Sequence, residues 1–217
     1  MAWDTAGTQR KILDAATKQF AAVGPDGTTI ERIAKEAGVN KERIYNYFGG
    51  KRELLARVLQ EELAKVAQAI PVDSFATYDI GDYAGHVYDY HRERPELTRL
   101  LHWEGLAFGT DVPNEEARRA RYEEKTAAAT DGQRQGVLTN SIDADHIAFL
   151  VLALAGWWFA APQVARMLTG EPTEEEHARR RASVIEAARR FALNLSLQVQ
   201  FDFKNAGEWD VDTRWYG

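Results

Sequence analysis

Apolar residues recur at steps of three and four from residue 8 to residue 191, a spacing that admits little besides α-helix. The first run places Ile12, Leu13, Ala16, Phe20 and Val23 on one face, and Gly24-Pro25-Asp26-Gly27 ends it. Thr28 or Thr29 can cap the next helix by accepting a hydrogen bond from a free amide group at its start. That helix runs to Ala37, where Gly38 can take the positive φ that helix ends often use. A short helix over 41–48, a Gly49-Gly50 break and a longer helix over 51–70 follow. Past Pro71, helices are expected over 78–92, 95–108 and 114–135, with Pro95 and Pro113 at helix starts, where proline is tolerated. Asp143 or Ser141 caps an apolar helix through Ala160, and Pro162 kinks or restarts it up to Leu168. Thr173 and Glu176 have the spacing of a capping box and open a last helix to about Phe191.

The tail has a different period. From Leu193 to Phe203 apolar and polar residues alternate without a fault, as in a strand. Asn205 and Gly207 give a turn composition, and Trp209, Val211, Thr213 and Trp215 alternate again. The tail reads as a β-hairpin or as a frayed extension of the last helix. The expected fold is therefore all-α, with a head over 1–52, a helical body over 53–191 and an extension with a possible hairpin over 192–217.

Residues 30–48 have the anatomy of a helix-turn-helix. Ile33 and Ala34 face inward, and the small Ala34 lets the second helix cross close by. Gly38 turns the chain, Val39 plugs the space beneath, and Ile44 and Phe48 anchor the second helix. Its outward face carries Asn40, Lys41, Arg43, Asn46 and Tyr47. Such a unit sets its second helix in the major groove of duplex DNA. Arg43 suits guanine, Asn40 or Asn46 suits adenine, and Glu42 can accept from cytosine. Lys41, Tyr45, Tyr47 and Lys51 are placed for phosphates. Charge agrees: residues 1–52 hold 9 Lys+Arg and 6 Asp+Glu, a net of 9 − 6 = +3, and the remainder holds 18 and 27, a net of 18 − 27 = −9. A basic head on an acidic body favours docking head first.

The stretch from Thr29 through Tyr45-Asn46-Tyr47-Phe48-Gly49-Gly50-Lys51 to Leu55 resembles the DNA-binding signature of the TetR family of bacterial regulators. The resemblance covers roughly residues 8–59. It implies an all-helical homodimer that binds a double-stranded DNA operator, with a C-terminal domain that takes a small-molecule effector, usually releasing DNA. It matches Tyr45 and Lys51 to phosphate-contacting positions and the start of the second helix to the base-reading segment; Thr29, where the matched stretch begins, is counted among the expected DNA-binding residues. Tyr47 stands where the family often has His, and Lys41-Glu42 replaces a pair of small residues. The alternating tail is a further departure.

In the body, His86, Tyr90, His102, Trp103, Glu104, Phe108 and Trp157 are aromatic or titratable residues on apolar helices, as a ligand pocket requires. Plain core packing is the competing reading for each. Small residues at 148, 153, 155, 156 and 160, with a stripe of Ala178, Ala182, Ile185, Ala188 and Phe191, suggest a dimer surface. The Arg179-Arg180-Arg181 run reads as a solvated face.

Several function classes lose support. With 0 cysteines there is no disulfide scaffold, thiolate metal site or cysteine nucleophile. Gly49-Gly50-Lys51 is too short for a phosphate-binding loop and follows a helix. His86 and His91, five apart, do not share a helical face, so no metal site and no cofactor is expected. The apolar run over 147–161 is shorter than a bilayer span, and the N-terminus lacks a secretory pattern, so a cytoplasmic location with no membrane partner is expected. The alternative is a helical dimeric carrier, or an interaction module adding a strand at the hairpin edge, with a vestigial DNA-binding head.

Overall fold

The computed structural model describes residues 5–112 and 115–194, and these form ten helices. Pro113 and residues 195–217, on which most of the expected hairpin falls, lie outside the described residues. The chain is all-α, with an N-terminal helix-turn-helix domain and a C-terminal helical domain.

The head comprises α1 (Thr5–Gly27), α2 (Ile30–Ala37), α3 (Lys41–Phe48) and the start of α4 (Lys51–Ala69). Gly24, at φ 72° and ψ 175°, breaks the helical path of α1 just before Pro25. The head's core gathers Ile12, Ala16 and Phe20 of α1, Ile33 of α2 and Ile44 of α3. It also takes in Leu54, Leu55, Val58 and Leu59, so the buried cluster runs past the boundary expected at residue 52. The reason is that α4 is continuous: its first turns complete the head and its later turns enter the body.

The body contains α5 (Ile80–Glu93), α6 (Pro95–Phe108), α7 (Glu115–Arg134), α8 (Ala144–Ala160), α9 (Pro162–Thr169) and α10 (Glu174–Ala192). Its core is built from Tyr83, Val87 and Tyr88 of α5, Ala128 and Ala129 of α7, Ile147 and Val151 of α8, and Val184 and Ala188 of α10. Helices α5 and α10 approach closely because α5 carries Gly81 and Gly85. A β-carbon on Gly81 would stand 2.9 Å from the Ile185 carbonyl, and one on Gly85 would stand 2.9 Å from the Ile185 side chain. Ion pairs line this seam: Arg181 grips both oxygens of Asp89 at 2.9 and 2.8 Å, and Arg189 reaches Asp79 and Asp82, each at 2.9 Å.

Of the residues expected at a dimer surface, Ala155 and Ala188 are buried and Ile185 packs on α5 within the same subunit, whereas Ala153, Ala178 and Ala182 are exposed. The large exposed apolar residues of α8 are Phe149, Leu150 and Trp157. One expectation is corrected by this packing: the arginine run is not a solvated face. Arg180 is buried, donates to Glu176 at 2.9 Å and to Thr169 Oγ1, and lies 5.3 Å over the Trp158 ring, which together compensate its desolvation. Arg179 alone of the three is exposed.

Leu138 and Leu193 form an isolated antiparallel bridge, with Thr139 N donating to the Ala192 carbonyl at 2.8 Å and Asn194 N to that of Val137 at 3.0 Å. Among the described residues no single helix is long and apolar enough to cross a membrane; α8 and α9 reach that length only together and bend by 84°.

Candidate functional site

Thr29 caps α2, its hydroxyl accepting from Arg32 N at 3.3 Å. Thr28, the other candidate cap, is buried and donates instead to Gln19 Oε1 at 2.9 Å. At the far end of α2, Gly38 takes φ 66° and ψ 34°, and Val39 N donates to the Ala34 carbonyl at 3.0 Å. This left-handed turn swings the chain directly into α3. Ile33 and Ile44 are fully buried and fix the two helices against each other.

Helix α3 then presents a short polar face. Asn40, Lys41, Glu42, Tyr45 and Asn46 are exposed and Arg43 is half-buried. Tyr45 keeps 48% of its surface exposed, notable for a large aromatic side chain with nothing to cover it. Tyr47 departs from expectation: it is half-buried, packs on the head's core and meets Phe48 edge-on at 6.3 Å, so less of it stands outward. Lys41 is paired to Glu31 at 3.2 Å, which ties the first turn of α3 to α2. A backbone N–H and then Lys41 hold the Glu31 carboxylate below its usual value. Lys51 leans over the loop before α2, 3.5 Å from the Thr28 carbonyl and 3.7 Å from Asp26.

A second feature lies in the body. A cavity of about 690 Å³ opens between α4, α5, α6, α7 and α8, within the size range of small-molecule sites. Its walls are mostly aliphatic and aromatic, with Leu63, Leu101, Leu152 and Phe149 among them. Of the seven residues expected at a pocket, His102 and Trp157 line it. His102 Nδ1 donates to the Thr98 carbonyl at 2.7 Å, and Trp157 is 63% exposed at the rim.

The other five have different partners. His86 is exposed and bonds the Tyr78 hydroxyl, and Tyr90 is half-buried against the body's core. Glu104 is buried in an ion pair with Arg118 at 2.6 Å. Trp103 covers Gly24, and Phe108 packs on the head beneath the Arg52 guanidinium, 4.6 Å from its ring centre. Trp103 and Phe108 thus serve the junction of head and body, while the Glu104–Arg118 pair ties α6 to α7 within the body.

Besides His102, the polar groups that line the cavity were not expected there from sequence. His91 is buried, its Nδ1 2.8 Å from Thr98 Oγ1, and desolvation pushes its pKa down to about 4, so the ring is neutral. Tyr122, Lys125 and Thr126 enter from α7. Their spacing of three and four put them on one face, but the charged surroundings made that face look solvated. Asp143, Asp145 and His146 bring possible ligand atoms within 4.8 Å of one another; all three are exposed, an arrangement common on protein surfaces.

Two family models match the chain: bacterial regulatory proteins of the tetR family over residues 12–58, and a tetracyclin repressor-like C-terminal domain over residues 79–190. The chain belongs to the TetR family. Among its relatives is the HTH-type transcriptional repressor SCO4008 of Streptomyces coelicolor, 43% identical over 168 residues, covering 77% of this chain and 86% of that protein. The HTH-type transcriptional regulator RutR of Escherichia coli K12 is 30% identical over 175 residues, covering 77% and 81%. The crystal structure of the putative transcriptional regulator SCO4942 from Streptomyces coelicolor superposes with a TM-score of 0.73 at 29% identity, covering 86% of this chain and 99% of that one. This TetR-family chain is a DNA-binding transcriptional regulator, and its helix-turn-helix is α2 and α3.

Proposed function

We propose that this regulator is a homodimeric repressor that leaves its operator when a small molecule fills the body cavity. The observation that carries the reading is the double duty of α6. One face of α6 supplies Leu97, Thr98, Leu101 and His102 to the cavity wall. The opposite face holds the end of α1: Arg99 donates to the Ala21 carbonyl and, at 2.9 Å, to that of Ala22, and Trp103 lies against Gly24. A ligand that moves α6 must therefore act on the segment that leads into α2. Gating needs such differential contact between two states of the protein.

In the bound state, α3 lies in the major groove. Arg43, Asn40, Asn46 and Glu42 face base edges, while Thr29, Lys41, Tyr45, Tyr47 and Lys51 face phosphates. Lys41 exchanges Glu31 for a phosphate at little cost, because exposed ion pairs contribute little. The apolar exposed face of α8 supports pairing of two copies, which a two-fold operator requires. The protein acts where the chromosome is, in the cytoplasm, and carries out no catalysis.

The test starts from the operator selected out of a random DNA pool. Ligands that raise the thermal midpoint of the full chain are added to the protein–operator complex at fixed salt. The expected result is an affinity loss of about 5- to 150-fold, and a smaller loss in Trp103→Ala, where the α6–α1 contact is cut. Ligands that fill the cavity and leave operator affinity unchanged contradict the gating.

A further inference from the structure

The cavity is almost wholly apolar, yet its α7 side is cationic. Lys125 is half-buried there, with neither an ion-pair partner nor a hydrogen bond among the described residues. Arg121 lies on the same face of α7. Behind Lys125 a small void of about 30 Å³ shares Leu63, Tyr122 and Lys125 with the main cavity. Arg118 lines that void. Its side chain is buried, one nitrogen is bound to Glu104, and its Nε has no hydrogen-bond partner among the described residues.

A buried donor left unpaired costs free energy, and a half-buried ammonium without a counter-ion costs more. Glu104 neutralises only one of the three cations. Desolvation pulls the Lys125 ammonium below its usual pKa; the neighbouring Glu124 carboxylate opposes this from a distance without forming an ion pair, and Arg121 adds to it. The other charged residue on the cavity lining, Asp145, is exposed at the rim and accepts from His146 N at 2.8 Å, so its charge is already solvated. Other groups on the lining able to donate to an anion include the neutral His91 ring and the hydroxyl of the exposed Tyr122, while the Thr126 hydroxyl donates to the Tyr122 carbonyl at 3.3 Å.

We infer that the effector is an apolar organic acid, its hydrophobic part held by the leucines and aromatics of the cavity and its carboxylate seated on Lys125 at the α7 side. This rests on the reading of the cavity as the effector site. Binding supplies the counter-ion that the fold omits, so a charge-assisted contact forms only with an anionic ligand.

Three amphiphiles with the same twelve-carbon chain separate the cases: dodecanoate, dodecanol and dodecylammonium, each titrated into the full chain below its micelle concentration by calorimetry. Dodecanoate is expected to bind about 10-fold or more tighter than the other two, the size of one hydrogen bond to a charged group. Lys125→Met removes that preference while leaving dodecanol affinity unchanged, and Lys125→Arg keeps it. Ala148→Trp, which fills the cavity from α8, weakens whichever ligands bind there. Equal binding of all three, tighter binding of dodecylammonium, no binding of any, or a preference that survives Lys125→Met or Ala148→Trp each overturns the inference. The same ligands added to the operator complex separate it from the gating reading. If dodecanol seated in the cavity releases DNA as well as dodecanoate does, the anion inference falls and the gating stands. If dodecanoate binds with its preference intact and DNA stays bound, the gating falls and the anion site stands.

Discussion

The indole of Trp103 occupies the space a β-carbon on Gly24 would need, with Cδ2 and Cε3 each 2.7 Å from that position. A helix of the body is thus keyed into the one residue where the first helix of the head breaks. Gly24 also holds φ 72°, which an L side chain adopts only under strain. Gly24→Ala is expected to cost about 1–3 kcal/mol from the backbone alone, since φ 72° with ψ 175° is a region that only glycine enters readily, and more from the collision. Because the collision involves one partner, the substitution costs less in a Trp103→Ala background. Thermal melts of the four proteins measure this coupling, and simple additivity counts against the contact.

The Glu104–Arg118 pair predicts a larger effect. Both side chains are buried, with the Arg118 guanidinium 2.6 Å from the carboxylate. Glu104→Gln strands a buried cation, so a loss of about 3–5 kcal/mol is expected. Glu104→Gln with Arg118→Met, which removes both charges, costs less than Glu104→Gln alone. Urea midpoints at constant m-value decide between them.

His91 sets a pH dependence. Its folded pKa lies at about 4, below the ordinary value of 6.5, because burial penalises the imidazolium. The unfolded chain therefore binds the proton more readily between these values, and stability rises with pH across that window. The contribution is complete above the unfolded value and is lost as pH falls towards 4, about 3 kcal/mol in all. Removing the imidazole flattens this part of the profile. The check is the wild-type minus His91→Asn difference in unfolding free energy, followed from pH 7 to pH 4; a difference independent of pH refutes it.

At Gly38 the cost is conformational only, since a β-carbon there meets nothing within 4 Å. Gly38→Ala is expected to lose about 1 kcal/mol, and Gly38→Asn less, because Asn tolerates the left-handed region. Since the same turn aims α3, DNA affinity falls along with stability. Equal melting of all three proteins contradicts the argument.

How much was legible in sequence depended on how locally each feature is determined. Gly38, Ile33 and Ile44 could be read because a turn and two inward residues within a dozen positions define the unit. The break at Gly24 and the Thr173 cap were legible for the same reason. Glu104 was misplaced in the pocket because its counter-ion sits fourteen residues on, in a helix whose packing angle the sequence does not state. Lys125 was missed because 115–134 looks like a solvated helix, and its burial depends on α4 and α8 closing around it. Arg180 was read as solvated because Trp158, which its guanidinium covers, lies on another helix. His102 and Trp157, which do line the cavity, stood out because aromatic and titratable side chains on apolar helices are few.

The most direct measurement is the affinity of the full chain for its selected operator by fluorescence anisotropy, titrated at several salt concentrations. Helix α3 as the reading element predicts tight binding that weakens steeply with salt. It also predicts losses of about 1–3 kcal/mol in Arg43→Ala and Tyr45→Ala, and a salt slope reduced by about 1 in Lys51→Ala. Wild-type affinity from Arg43→Ala and Tyr45→Ala together, or an absence of salt-sensitive binding to any duplex, would contradict it.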